Sequence, residues 1–232
     1  MRKQLLILLL FAMLVFCQQS TAAFKSVFLE NIKNASSLAT IPLHSRELLE
    51  SIILLPTADF NEIAAGKMIQ RIDQLPATLL QKIKDNKIII LLFNGKLTDQ
   101  PTTRHMQGLT PRGYAHTTTT WDDVPGSGGS DIVLVKIGAS DKGSGHGSVN
   151  LELHELAHSI DKIVFNRIRD EEQFLSIWRE EVDPLFGSQP YFQTYPEEYF
   201  AESFAMFYAY ENTREMLKEK APKTYAYIAG LK

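Results

Sequence analysis

Cysteine is almost missing from this 232-residue chain; Cys17 stands alone. A single cysteine cannot form an internal disulfide, so a disulfide-stapled fold and a multi-thiolate metal site are both excluded. Basic charge is scarce too. There are 24 Lys and Arg against 27 Asp and Glu, net −3, a poor basis for nucleic-acid binding or for a polybasic membrane patch. The longest apolar run, Leu5 to Phe16, has 12 residues. As helix it would reach about 18 Å at ~1.5 Å per residue, whereas a bilayer core needs ~20 residues. No internal repeat and no low-complexity linker divides the chain. With 44% apolar and 22% charged residues, the composition fits one domain, or two small subdomains sharing a core.

The first 23 residues have the form of an export signal. Arg2 and Lys3 open it, the apolar run follows, and Gln18, Gln19 and Ser20 lead to the small residues Thr21, Ala22 and Ala23. Cleavage near Ala22 or Ala23 is expected, giving a secreted protein with no stable membrane insertion. Losing Arg2 and Lys3 leaves 22 basic against 27 acidic side chains, or −5. The mature chain then has no thiol and cannot be a cysteine protease. A lipid-modified Cys17 is the rival reading, but bulky Phe16 stands where lipoprotein sites take a small residue.

From Phe24 to Asn86 the pattern reads as mainly helical. Phe60, Ile63, Ala64, Met68 and Ile72 recur at helical spacing, and Pro76 punctuates before Leu79, Leu80 and Ile83. Ile88 to Phe93 is a short β-branched run closed by Asn94-Gly95 and predicts a buried strand. A long polar stretch, Lys96 to Ser130, reads as a functional loop. A second strand is expected over Asp131 to Ile137. A glycine-rich turn, Gly143 to Gly147, then precedes a helix starting near Val149, with helical patterning onward to Lys232. The fold class is α+β: N-terminal helices with a small sheet and the helix starting near Val149 (24–166), then an all-helical C-terminal subdomain (167–232).

His154-Glu155-Leu156-Ala157-His158 carries the chemistry. Helix positions four apart face the same way, so both imidazoles can reach one ion. Glu155 lies one step round, where it can contact water on that ion without ligating it. Leu151, Leu153, Leu156, Ala157 and Ile160 supply apolar surface around this polar notch, which argues against a solvated face.

A hydrolytic zinc site takes three protein ligands and keeps one position open. The stretch from Tyr195 to Phe204 offers the third. Pro196 suits a first helical position and acids follow in the first turn. Glu198 and Glu202 share a face among Tyr199, Phe200, Phe204 and Phe207, where carboxylates are costly unless something positive meets them. Glu198 is read as the third ligand and Glu202 as the acceptor of a hydrogen bond from a ligating imidazole. The alternative for Glu197, Glu198 and Glu202 is ordinary surface charge at a helix start. For Glu197, pairing with a basic loop residue is expected before ligation.

Taken together, these residues resemble the catalytic domain of anthrax lethal factor, and more closely the secreted Pro-Pro endopeptidases within that superfamily. The likeness is carried by His154 to Ile160, the Tyr191…Glu198 spacing, Glu198 to Phe204, the Ala221 to Tyr225 segment, Gly108 to Gly113, Thr120 to Gly126 and Asn150 to Glu155. It covers the chain from about Gly108 onward. The resemblance implies a zincin-like metalloprotease with one zinc ion per chain, His154, His158 and Glu198 as ligands and Glu155 as catalytic base. It implies that Tyr191 stabilises the oxyanion and that Arg112 pairs with Glu197 beside the substrate. Tyr114 stands where the family pattern leads us to expect Trp. Tyr114, Trp121 and Tyr191 could wall a proline-rich substrate, and Gly126, Gly128 and Gly129 could let its backbone approach. Trp121 could equally anchor the long loop.

The expected substrate is a proline-rich extracellular or cell-surface protein, cut between two prolines; a monomer is the default. Two other readings compete with it: a non-catalytic, zinc-stabilised binder of proline-rich segments, which has no need of Glu155, and a lethal-factor-like toxin protease, which would need a delivery module. His146 sits in the glycine-rich turn and could contact substrate or simply be solvated. His44, His105 and His116 have no recognisable spacing and are assigned no role.

Overall fold

The computed structural model describes residues 24–232 apart from Asn34, Ala115 and His116. The expected export signal, residues 1–23, and with it Cys17, lies outside the described residues. No described helix is long and apolar enough to cross a membrane.

The strands are β1 (Ser26–Phe28), β2 (Ile53–Pro56), β3 (Ile89–Phe93), β4 (Gly126–Ser127) and β5 (Ile132–Lys136). They form one mixed sheet in the order β1-β2-β3-β5-β4, parallel at its centre and antiparallel at both edges. Helices α1 (Arg46–Leu49), α2 (Glu62–Ile72) and α3 (Ala77–Asp85) come from the first half, followed by α4 (Leu151–Ser159). The chain then folds into α5 (Glu172–Phe186), α6 (Pro190–Thr194), α7 (Pro196–Ala209), α8 (Glu211–Lys220) and α9 (Pro222–Ala229).

β3 explains why its sequence is apolar without alternation. Ile90 and Leu92 point into the main core with the helices, while Leu91 and Phe93 pack under Trp121 and Val124 on the other face. Both faces are covered, as parallel strands require. Trp121 thus anchors the long loop and also lines the cleft described below.

Three expectations need correction. The segment 24–86 is not mainly helical throughout, because it contains β1 and β2. An apolar run as short as Ile52 to Leu55 cannot be assigned by periodicity, and pairing with β3 decides it. Ile63 is not on the buried face of α2; it is 72% exposed, and Ala65, Met68, Ile69 and Ile72 face the core. The stretch 96–130 is not loop alone, since β4 arises within it and pairs with β5.

α4 begins after Asn150, whose side chain accepts the Leu153 N–H at 3.0 Å and so satisfies one free donor of the first turn. It ends in a π turn, Ile160–Val164. α7 packs against α4 and is buried nearly all round; Tyr199, Phe200 and Phe204 have no exposed surface. Phe174 of α5 meets Phe200 edge-on at 5.7 Å. Fully burying each such ring contributes roughly 1.5–3 kcal/mol, which holds α7, and the carboxylates it carries, against α4.

Candidate active site

α4 places His154 and His158 one turn apart, their rings edge to face with centroids 4.8 Å apart. Their Nε2 atoms are 3.2 Å apart. From α7, Glu198 Oε2 stands 3.4 Å from His154 Nε2 and 3.5 Å from His158 Nε2. Ligands of a tetrahedral ion with bonds of ~2.0–2.1 Å are separated by about 3.3 Å, so the spacing and the nitrogen–nitrogen–oxygen donor set fit a metal ion. Among the described residues this is the group able to hold one.

The electrostatics point the same way. Burial works against protonating His154, but its hydrogen bonds to Glu198 and Glu202 outweigh that and raise its pKa to about 10. The site demands positive charge. Glu202 Oε2 accepts from His154 Nδ1 at 3.0 Å, and its Oε1 accepts the Val149 N–H at 2.9 Å. Burial opposes the charge on Glu198 and on Glu202, yet the imidazoles hold both carboxylates below their usual range. With Nδ1–H fixed on Glu202, the Nε2 of His154 is the atom turned towards Glu198 and His158.

Glu155 is half-buried beside the imidazoles. Burial pushes its pKa up, only partly offset by the two histidines and the Gly128 N–H. β4 and the residues after it lie almost flat on α4. A Cβ on Gly128 would fall 1.9 Å from the Glu155 carbonyl oxygen, and one on Gly126 would fall 2.8 Å from Glu155 Cγ. Gly129 adopts a φ of +79° and gives its N–H to Ser159 Oγ at 3.0 Å. These glycines therefore bring the edge strand down onto the two-histidine helix, and they line the cleft as well.

Tyr191 enters from α6, seven residues before Glu198. Its ring packs edge-on against Tyr195 at 5.4 Å. Burial, then the negative charge and hydrogen bond of Glu198, push its pKa well up, so the phenol keeps its proton. Arg112 gives Nη1–H to Glu197 Oε1 at 2.8 Å and Nη2–H to Glu198 Oε1 at 2.6 Å, and lies over the Tyr195 ring at 4.1 Å. The expected Arg112–Glu197 pair is present, and the same guanidinium also occupies the outer oxygen of Glu198.

All these groups open onto one cleft of 790 Å³, which Tyr114, Trp121, Tyr191 and Phe192 also line. His146 reaches its edge and donates Nε2–H to the Ala139 carbonyl at 2.7 Å. His44 pairs with Asp73 elsewhere. Sequence reasoning missed Asp161 and Arg169, which meet beyond His158. An acid three residues after a helical histidine was the available signal, hidden because a π turn alters the register there.

Comparison with known proteins agrees with this geometry. The family described as anthrax toxin lethal factor, N- and C-terminal domain, matches residues 40–231. The chain belongs to that family. A Pro-Pro endopeptidase of Clostridioides difficile (strain 630) is 40% identical over 211 residues, covering 90% of this chain and 95% of its own. A Pro-Pro endopeptidase of Paenibacillus alvei is 36% identical over 196 residues, covering 84% and 90%. The solved structure of the Pro-Pro endopeptidase PPEP-2 from Paenibacillus alvei superposes with a TM-score of 0.75 at 36% identity, covering 80% of this chain and all of that one. The family member described here is therefore an enzyme, a metalloprotease with the mixed α/β fold of its relatives, and the His154–His158–Glu198 group can hold its metal.

Proposed function

We propose that this protein is a secreted, zinc-dependent endopeptidase that hydrolyses the bond between two prolines in proline-rich proteins. One observation carries the reading: three donor atoms stand 3.2–3.5 Å apart with the half-buried Glu155 carboxyl beside them. Two imidazoles and one carboxylate are a hydrolytic zinc set, whereas magnesium and calcium favour oxygen ligands. When bound, zinc supplies Lewis acidity and an open coordination position.

The chain's own residues do the rest. Glu155 takes a proton from the attacking water and passes it to the nitrogen of the departing proline, which leaves as a secondary amine. A carboxyl whose pKa is raised is suited to both halves of that transfer. Tyr191, kept protonated, donates to the oxygen that gains charge. Glu202 orients His154 through Nδ1.

The proline preference is supported by the relatives' names and by the aromatic walls Tyr114, Trp121 and Tyr191. Proline lacks an N–H, so strand-addition binding loses donors there; flat rings and a pre-formed polyproline shape take over that part of recognition. Export is supported by residues 1–23, and the N-terminal sequence of protein recovered from the medium tests it. The central test is a proline-rich peptide library read by mass. Cuts between prolines, lost with a chelator and restored by zinc, are expected. Cuts that survive chelation overturn the metal reading, and cuts away from proline overturn the specificity.

A further inference from the structure

The most deeply buried charge that this mechanism leaves unused is Asp161, fully buried in the π turn three residues past His158. The chain then passes through Asn166 and Arg167, two successive non-glycine residues with φ of 50° and 74°. Such backbone costs energy and persists only where its surroundings fix it. Asp161 fixes it. Its carbonyl accepts the Arg167 N–H at 2.7 Å, its Oδ1 accepts the Arg169 N–H at 2.9 Å, and its Oδ2 pairs with the Arg169 guanidinium. The same guanidinium reaches across to α7, with Nη1 3.6 Å from Glu197 Oε1. That oxygen also receives Arg112, which in turn holds Glu198.

We propose that Arg169 is a positioning residue for the metal site, fixing the end of the two-histidine helix against the start of the helix that carries Glu198. The proposal rests on the reading of His154, His158 and Glu198 as ligands. A planar guanidinium can serve Asp161 and Glu197 at once; a lysine ammonium on a flexible stem cannot hold both in one geometry. The link joins the two elements whose separation sets the distance from the imidazoles to the carboxylate.

Cobalt(II) loaded in place of zinc tests it, because the visible spectrum of cobalt reports ligand geometry and chelator-driven loss reports affinity. The variants are Arg169→Lys and the double change Asp161→Asn with Arg169→Gln, which removes both charges and so strands neither in the interior. Ile83→Val, in the core face of α3, controls for lost stability. Both link variants are expected to shift the spectrum and to lose cobalt about tenfold faster, with Ile83→Val unchanged in both. A wild-type spectrum and release rate in both link variants overturns the proposal, as does equal acceleration in Ile83→Val. Failure of the unaltered protein to take up cobalt overturns the ligand assignment itself, and the proposal with it.

Discussion

β3 and α7 are both enclosed by protein, yet β3 carries no charge and α7 carries three carboxylates. Glu197, Glu198 and Glu202 are 9%, 6% and 5% exposed. Each has its counter-groups: Arg112 and Arg169 for Glu197, Arg112 and two imidazoles for Glu198, His154 and a backbone N–H for Glu202. Burial alone does not select apolar side chains; the supply of partners does. β3 is covered on both faces by apolar clusters, so apolar side chains fit. α7 faces a helix with two histidines and a loop with an arginine, so carboxylates fit, and removing one partner leaves a stranded charge costing about 3–5 kcal/mol.

The largest effects separate the two regions by kind. Glu155→Gln removes a half-buried carboxyl, and kcat is expected to fall about 1000-fold or more while metal content and melting temperature hold or rise. Leu91→Ala in β3 is expected to do the reverse, costing ~2–5 kcal/mol with kcat per folded molecule intact. Kinetics and thermal melts on the two variants check this. If Glu155→Gln keeps its turnover, or Leu91→Ala loses it in folded protein, the division fails.

Next is the seam between the regions. Gly128→Ala would drive a Cβ to 1.9 Å from the Glu155 carbonyl oxygen, against backbone that cannot swing aside, with an expected cost of about 3 kcal/mol and lost activity. Gly147, beside which a Cβ would meet nothing within 4 Å, should accept alanine within roughly 0.5 kcal/mol. Denaturant titration of the pair is decisive, since equal stabilities would mean that β4 can lift off α4. Smaller again is Glu202→Ala, for which metal affinity is expected to fall about 10–100-fold, measured by competition with a chelator.

What was legible beforehand follows the same physics. The two histidines and Glu155 were readable because a helical period fixes which side chains share a face, and β3 because burial on both sides leaves an unbroken apolar run. Glu198 was readable because acids among Tyr199, Phe200 and Phe204 demand a counter-charge. β2 was not readable, since four apolar residues suit either helix or strand. β4 was hidden by Gly126 within it and Gly128 just after it, which signal a loop by propensity but are there because nothing larger fits over α4. The Asp161–Arg169 link was hidden because it depends on a π turn, which breaks the period by which contacts are counted.

The pH dependence is the sharpest test of why α7 tolerates its acids. In chelator-stripped protein, the His154 pKa is raised from 6.5 to about 10 by its two carboxylate partners, against the pull of burial. A group bound more tightly to its proton when folded stabilises the fold fully below the unfolded pKa, and that contribution is lost as pH rises through the folded pKa. The stripped protein should therefore lose stability between about pH 6.5 and 10. Metal binding must displace that proton, so apparent affinity should rise with pH over the same window, about tenfold per unit for one proton, and flatten near pH 10. Opposite slopes for the two quantities are expected, from melts of stripped protein and from chelator competition across the window. Parallel slopes would mean that the acids of α7 are balanced by something other than the proton that the metal replaces.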